Sequence, residues 1–552
     1  MAMENFCCQC EQTANGTGCT KVGVCGKDPK TSVLQDLVVF AVKGVAMYAH
    51  RAAQLGSHDD TLGRTIVESL FGTVTNVNFD PTRVEVWLRL LGRTLERARA
   101  LHLAACERAN RRPELLGGPA AFAPAATLEG LVEQASVGSV KARIRRVGAD
   151  VGGLQDLVLF GLKGAAAYAE HAAVPGKEDP AIYAGFYALL DQLARETGSV
   201  EEYFGAALKV GALNLEVMAL LAAANTGAYG NPVPTQVRVT ARKGEAILIS
   251  GHDLKDLEAL LEQAEGKAID VYTHGEMLPA HGYPALKKHR HLAGNWGGAW
   301  QDQVREFDAF PGAFLFTTHC IQRPRESYRG RVFTSGLVAF PGVRHLTDRN
   351  FAPVIDAALA QPGFAADEPE KKITVGFGHE AVLGIADKIV DAVKKGAIRR
   401  LFVIGGCDGA KSGRDYYTRF AEAAPKDTVI LTLACGKYRF NKLELGEIGG
   451  LPRLLDLGQC NDAYSAVVVV SVLAEALGTG VNALPLSFIL SWYEQKAVAV
   501  LLTLLHLGIK NIRLGPSLPG FLTPAALNVL VEKYGIKPIG AADTDLEACL
   551  SP

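Results

Sequence analysis

Five of the chain's eleven cysteines fall between Cys7 and Cys25, and their spacing is the first sign of chemistry. Cys7-x-x-Cys10 lets two sulfurs grip one metal centre from a single turn, and Cys19 and Cys25 follow after eight and five intervening residues. Structural zinc also takes four cysteines, usually as two tight Cys-x-x-Cys pairs. Here one pair is tight and the rest is staggered, which suits the wider footprint of an iron–sulfur cube. Zinc is the sharp alternative and free buried thiols the bland one. Cys8 sits beside the first candidate ligand, where it competes for the metal or merely packs.

A second set lies at the ends of apolar runs. AILIS leads into Gly251-His252, DVYTH into Gly275-Glu276, FLFTTH into Cys320, LFVIGG into Cys407 and ILTLA into Cys435. Cys460 follows in LDLGQCND and Glu494 in SWYEQKAVA. In open α/β sheets, ligands bind beyond the carboxyl ends of the strands. Each residue alone is weak, because a cysteine after a strand is usually inert core and a lone His or Glu is usually a satisfied polar group. Five in succession at strand mouths are harder to dismiss. Sulfur suits iron–sulfur chemistry, and imidazole and carboxylate suit iron with oxygen ligands and open positions. The mixture therefore points to a catalytic cluster, whereas an all-thiolate cage would point to electron transfer.

The elements that would position these residues can be read from pattern. At 552 residues the chain is long enough for about three domains. Residues 34–53, LQDLVVFAVKGVAMYAHRAA, recur as LQDLVLFGLKGAAAYAEHAA at 154–173, with apolar positions at helical spacing. Two such copies predict a duplicated helical bundle, joined through the Pro/Gly/Ala-rich stretch Arg112–Gly130. After Asn231 the pattern changes to short apolar runs alternating with helical segments, the mark of a parallel sheet. The runs are 246–250, 268–273, 313–317, 373–376, 401–405, 428–434 and 512–514; the helices include 254–264, 381–395 and 524–534. A boundary near Asp367–Lys372 leaves a helical domain over 1–225 and α/β domains over 226–367 and 368–552.

Lys plus Arg (57) nearly cancels Asp plus Glu (58), so no global field favours nucleic acid or an anionic membrane. The start lacks the features of a signal peptide. The apolar stretches 466–474 and 497–505 are shorter than the roughly 18 residues a membrane span needs. A cytoplasmic protein is expected, and in a reducing cytosol clustered cysteines point to metal or catalysis.

These residues closely resemble the hybrid-cluster (prismane) protein family, along nearly the whole chain. The most specific pieces are the N-terminal cysteine run, SGHDLKD (250–256), YTHGEMLPA (272–280), GGCDG (405–409), LGQCND (457–462) and WYEQKAVAVLL (492–502). The resemblance implies a helical domain of two bundles followed by two Rossmann-like α/β domains. It implies that Cys7, Cys10, Cys19 and Cys25 hold a 4Fe-4S cluster. His252, Glu276, Cys320, Cys407, Cys435, Cys460 and Glu494 match the ligands of a hybrid 4Fe-2O-2S cluster. Cys407 matches a cysteine carried as a persulfide, and Lys496 a lysine beside the cluster. Cys8 departs from the family pattern; Cys106 and Cys549 match nothing, and Cys106, in the helical run LHLAACERA, reads as packing.

The activity implied is reduction of hydroxylamine to ammonia and water, with Cys407, Glu494 and Lys496 nearest the chemistry. Lys496 or a nearby imidazole would supply protons; His274 and His319 flank the site as relays or as satisfied polar groups. Nitric oxide, another small nitrogen oxide or a peroxide is the alternative substrate, since the same open iron would serve. Carbon monoxide dehydrogenases share the architecture, but the two Glu argue against their thiolate-rich nickel site. A reading of another class is a redox sensor or transnitrosylating protein using Cys407. No nucleotide-binding glycine fingerprint is present, so the electron donor is expected to be a separate protein docking near residues 1–30. The chain is expected to act as a monomer.

Overall fold

The repeated segments form the long helices Pro29–Gln54 and Ala149–Ala173 in the computed structural model, which describes residues 5–411 and 413–551. The first four residues, where the expected donor-docking stretch begins, lie outside the described residues. Each long helix starts a set of three. Asp60–Gly72 and Pro81–Arg108 complete the first, and Pro180–Arg195 and Val200–Tyr229 the second. Asp28, Asp59, Asp80 and Asp179 cap their helices by accepting a backbone N–H, and proline opens three of them. The positions spaced as a helical stripe are buried: Leu34, Leu37, Val38, Ala41 and Val45 in one copy, Leu154, Leu157, Val158 and Ala165 in the other. The sets interlock, because Pro29–Gln54 packs on Pro180–Arg195 and Ala149–Ala173 packs on Asp60–Gly72.

Two six-stranded parallel sheets follow. The first contains Glu245–Ser250, Ile269–His274, Leu292–Asn295, Ala313–Phe316, Val332–Ser335 and Arg344–Leu346. The second contains Arg400–Gly406, Thr428–Leu433, Leu454–Gly458, Leu486–Ser491, Arg513–Gly515 and Lys537–Pro538. Numbered along the chain within each sheet, both have the spatial order 3-2-1-4-5-6. That is the doubly wound order, whose crevice opens between the first and fourth strands. A short antiparallel pair, Thr235–Arg238 with Lys372–Val375, ties the two regions together.

The apolar runs named from the sequence are all strands. The helices Leu254–Ala264 and Pro524–Tyr534 form as expected, the latter capped by Thr523. The helix expected over 381–395 is broken into His379–Leu383 and Ala386–Lys394 around Gly384 and Ile385. The expectation on membrane-spanning length needs correction. Pro29–Gln54 and Val200–Tyr229 are long and apolar enough to cross a membrane. Those windows are 83% and 56% buried within the protein, so the two helices serve its core.

Candidate metal centres

The N-terminal loop brings its thiols together through local backbone pairing. Cys7 and Cys19 exchange two backbone hydrogen bonds, of 3.0 and 2.8 Å, as an isolated antiparallel bridge. Cys19 Sγ accepts from the backbone N–H of Ala14 at 3.4 Å. Cys7, Cys10, Cys19 and Cys25 line one small cavity, and Cys8 is absent from its walls. Cys8 instead lines a neighbouring polar pocket between the repeated helices. There Asp36 and Lys43 of one copy face Asp156 and Lys163 of the other, the same two residue types at the same repeat positions.

The interior set is assembled by the two crevices. In the first sheet, His252 follows the first strand, Glu276 the second and Cys320 the fourth. In the second sheet, Cys407, Cys435, Cys460 and Glu494 follow the first four strands in order. Gly251 and Gly406, each at the end of a first strand, have φ of +130° and +113°. A Cβ on Gly251 would lie 2.4 Å from Thr317 Oγ1, and one on Gly406 would lie 1.8 Å from the Ser491 carbonyl oxygen. Only glycine lets first and fourth strands approach so closely at the mouth of each crevice. Cys320 (φ +69°) and Ala434 (φ +64°) are non-glycine residues in the left-handed region, and Ala434 immediately precedes Cys435. Such strain collects at functional sites.

The carboxyl ends of the two sheets' strands face each other across these residues. Cys460 donates its backbone N–H to Glu276 Oε2 at 2.7 Å, and Gln459 Nε2 donates to the Glu276 carbonyl oxygen at 2.7 Å. His252 Nε2 lies 2.9 Å from Lys496 Nζ and 3.6 Å from Glu276 Oε2. Among the described residues, His252, Glu276 and Cys460 offer ligand atoms all within 4.8 Å of one another. Cys435 and Cys320 face each other at hydrogen-bonding range. Glu494 caps the helix Gln495–His506 with Oε2, which accepts from the Lys496 N–H at 2.8 Å, while Oε1 stands 3.9 Å from Lys496 Nζ. The seven donors therefore surround a space wider than one ion spans.

Electrostatics states what this set lacks. Burial pushes Cys10 and Cys407 well above the usual thiol range, with Cys7 acting further on Cys10 and Glu494 on Cys407. Burial likewise pushes Cys7 up to about 11, against the pull of Lys27. Burial, then Lys496, depresses His252, leaving a neutral imidazole whose Nε2 lone pair points at the ammonium. Burial opposes the charge on Lys496, yet Cys460, Glu494, Cys320 and Glu276 outweigh it and raise its pKa. One ammonium is thus the only cation facing four thiols and two carboxylates among the described residues of the site. Glu276 Oε1 is buried without a hydrogen-bond partner. Soft and hard donors short of positive charge, with an orphaned carboxylate oxygen, fit a multi-metal centre.

The structure thus brings Cys7, Cys10, Cys19 and Cys25 together in the loop and gathers His252, Glu276, Cys460 and Glu494 around Lys496 in the interior, with Cys407 beside Cys460 and Cys320 beside Cys435. His274 is a satisfied core residue, held by Ser250 Oγ at 2.9 Å and Glu306 at 3.4 Å. His319 is held by the Thr75 carbonyl at 2.6 Å and meets Cys320 Sγ at 2.8 Å. Cys106 and Cys549 are buried packing residues. Sequence reasoning missed Tyr168 and His171, both on the second repeated helix. His171 stacks on His252, with ring centroids 5.6 Å apart and planes 15° apart. Glu170 Oε2 lies 3.2 Å from His171 Nδ1, but neither ring nitrogen makes an aligned hydrogen bond. It also missed Trp300 and Tyr493, which stack at 3.9 Å within an apolar cluster that contains Cys10, Cys407 and Cys435.

Fold and site together define a class: a helical region followed by two doubly wound sheets whose crevices share one mixed-donor centre, with a separate four-thiol loop. The chain belongs to the Prismane/CO dehydrogenase family, whose pattern matches residues 5–547. It is 53% identical over 550 residues to a hydroxylamine reductase of Geobacter metallireducens, covering 99% of this chain and all of that protein. It is 54% identical to one of Rhodospirillum rubrum over 543 residues, 98% of this chain and 99% of the relative. Among solved structures, a nickel-free carbon monoxide dehydrogenase from Thermococcus sp. AM4 shares the fold. Its TM-score is 0.55 at 16% identity, over 99% of this chain and 90% of that one.

Proposed function

We propose that this chain is a hydroxylamine reductase, converting hydroxylamine, two electrons and two protons into ammonia and water. In this reading Cys7, Cys10, Cys19 and Cys25 hold a 4Fe-4S cluster. His252, Glu276, Cys320, Cys407, Cys435, Cys460 and Glu494 hold a hybrid 4Fe-2O-2S cluster. The carrying observation is the convergence of thiol, imidazole and carboxylate donors at two facing crevices, supported by the name of the half-identical relatives. When bound, the mixed cluster supplies electrons and an open iron position that polarises the N–O bond.

The chain's own residues do the rest. Lys496 keeps its proton and, 2.9 Å from His252 Nε2, is placed to donate it to the departing oxygen. Glu494 spends one oxygen on the helix cap and leaves the other for a weak, displaceable bond. The Trp300–Tyr493 stack lies between the two thiol sets, with Trp300 Nε1 donating to the Cys407 carbonyl oxygen at 3.2 Å. The donor, a separate redox protein in the cytoplasm, approaches the N-terminal loop, where Val22 and Val24 are exposed. Burial of Cys407 disfavours the sensor reading, which needs an accessible, low-pKa thiol.

Anaerobic reconstitution tests this. The protein should take up roughly eight irons with labile sulfide and oxidise a reduced donor in a hydroxylamine-dependent way. About one zinc without sulfide, or iron-loaded protein with no turnover, would reject it.

A further inference from the structure

A further group of metal-capable side chains lies in the first α/β region, apart from both thiol sets. Glu265, His289 and His291 offer ligand atoms that all lie within 4.8 Å of one another. Glu265 ends the helix Leu254–Ala264, and the two histidines lead into the strand Leu292–Asn295. These segments sit at the amino ends of the first sheet's strands, whereas the interior set sits at the carboxyl ends. No step of the proposed reaction uses them.

Local backbone bonds hold the three donors in place. The His289 N–H donates to the Leu286 carbonyl at 3.2 Å and the Leu292 N–H to the His289 carbonyl at 3.1 Å, so His289-Arg290-His291 forms a tight turn. That turn sets the two imidazoles 5.6 Å apart between centroids. The His291 carbonyl accepts from the Val271 N–H at 2.7 Å, which ties the turn to the strand that follows Glu265. His289 Nδ1 lies 3.1 Å from Glu265 Oε2, close to the roughly 3.3 Å between two donors about 2.0 Å from one tetrahedral ion. His291 Nε2–H donates to the Leu261 carbonyl at 2.9 Å, which leaves Nδ1 as the nitrogen free to ligate. A backbone carbonyl on the other ring N–H is the usual support of a metal-bound histidine. The imidazoles are part-buried and therefore ordered, while the Glu265 side chain is 67% exposed and open to ions from solvent. A surface Glu–His pair by itself contributes little and needs no second imidazole.

We propose that Glu265, His289 and His291 form a surface site for a late first-row divalent cation, zinc being the probe, with water in the fourth position. Two imidazoles and one carboxylate select such an ion over magnesium or calcium, which take oxygen ligands. The ion takes the place of the hydrogen between His289 and Glu265, and the His289 ring carries its proton on Nε2. It clamps the end of the helix Leu254–Ala264 to the edge strand Leu292–Asn295. The site is independent of the interior chemistry, and its test does not depend on the substrate.

Zinc titrated into the untagged, iron-loaded protein gives the test, because filled clusters leave the thiols unavailable to it. One zinc per chain should bind in addition to the iron and persist in about a hundredfold excess of magnesium. Anomalous scattering at the zinc edge should place it between the three side chains. His289→Ala should weaken zinc binding by more than about 100-fold, beyond the range for residues that merely support a site. Glu265→Gln, which keeps shape but removes the charge, should weaken it by about tenfold or more. Zinc should also slow amide exchange over residues 289–292 in the wild type and leave it unchanged in His289→Ala. Hydroxylamine turnover without zinc should stay within about twofold of wild type in both variants, as for ordinary surface substitutions. No zinc beyond the iron, or zinc bound equally by wild type and both variants, would overturn the site. Either result would leave the reductase reading intact, since that reading stands on iron, sulfide and turnover.

Discussion

In the N-terminal loop, four thiols come from residues 7–25 and are held by backbone bonds among near neighbours, Cys7 with Cys19 and Gly23 with Lys27. In the interior, the seven candidate ligands span residues 252–494, and each is delivered by a different strand. The loop carries its geometry in its own spacing and sits at the edge of the molecule, with Cys7 and Cys25 only half-buried. The interior set exists only when the two sheets have docked, and the second helical bundle adds His171 and Tyr168 beside it. A local all-thiol site tolerates change elsewhere in the fold and suits passing charge. A site built from three regions can exclude water, hold Lys496 charged and bring unlike donors together, which suits chemistry.

The comparison breaks most sharply at the loop. Cys19→Ala removes one of four converging thiols and should lower turnover driven by an external protein donor by more than about 100-fold, beyond the range for merely supporting residues. The interior spectroscopic signature should persist, because no interior ligand belongs to the loop. Unchanged donor-driven turnover would show that electrons reach the interior without the loop.

Glu494→Gln probes the other side. It keeps shape and an oxygen that can still cap the helix, but removes the charge that binds metal. Hydroxylamine turnover should fall about 10- to 100-fold, with the loop cluster and the helical region undisturbed. Full activity with iron content intact would mean that Glu494 only caps the helix, the simpler role that its 2.8 Å bond to Lys496 N–H already fills.

Both clusters were legible in the sequence for different reasons. Cysteine spacing exposes the loop directly. The interior set emerged because apolar runs end in metal-capable residues, although the strands before Cys460 and Glu494 escaped notice. Leu454–Gly458 carries Asp456 and ends in glycine, which interrupts its apolar pattern. The helices Ala463–Ala476 and Gln495–His506 showed only as apolar stretches, since a helix buried on most sides loses the 3.6-residue contrast. Tyr168 and His171 were hidden for another reason. Their repeat counterparts, Tyr48 and Arg51, do ordinary work: Tyr48 packs near His102 and Arg51 pairs with Asp191 at 2.7 Å. Periodicity assigns both copies to a core, and only the tertiary arrangement turns one of them toward the site.

The smallest expected effect belongs to Cys8, and it tests whether spacing or backbone geometry decides which of two adjacent thiols is used. Spacing alone permits either. The backbone of Cys7 is paired with Cys19 on both its N–H and its carbonyl, which fixes that residue as extended. Successive side chains in an extended segment point to opposite sides; Cys7 reaches the cavity of Cys10, Cys19 and Cys25 as well as the pocket of Asp36, Lys43 and Asp156, whereas Cys8 lines only that pocket. Burial, then Asp156, pushes the Cys8 thiol well above its usual range, so it stays protonated and packs as a small apolar group. Cys8→Ala should therefore leave iron content, the loop's spectroscopic signature and donor-driven turnover within about twofold of wild type. A stability loss of about 1 kcal/mol is expected, that of an ordinary buried truncation. Cys7→Ala, one residue away, should lose the loop cluster. If Cys8→Ala loses iron and Cys7→Ala keeps it, the pairing of Cys7 with Cys19 would have to open on metal binding.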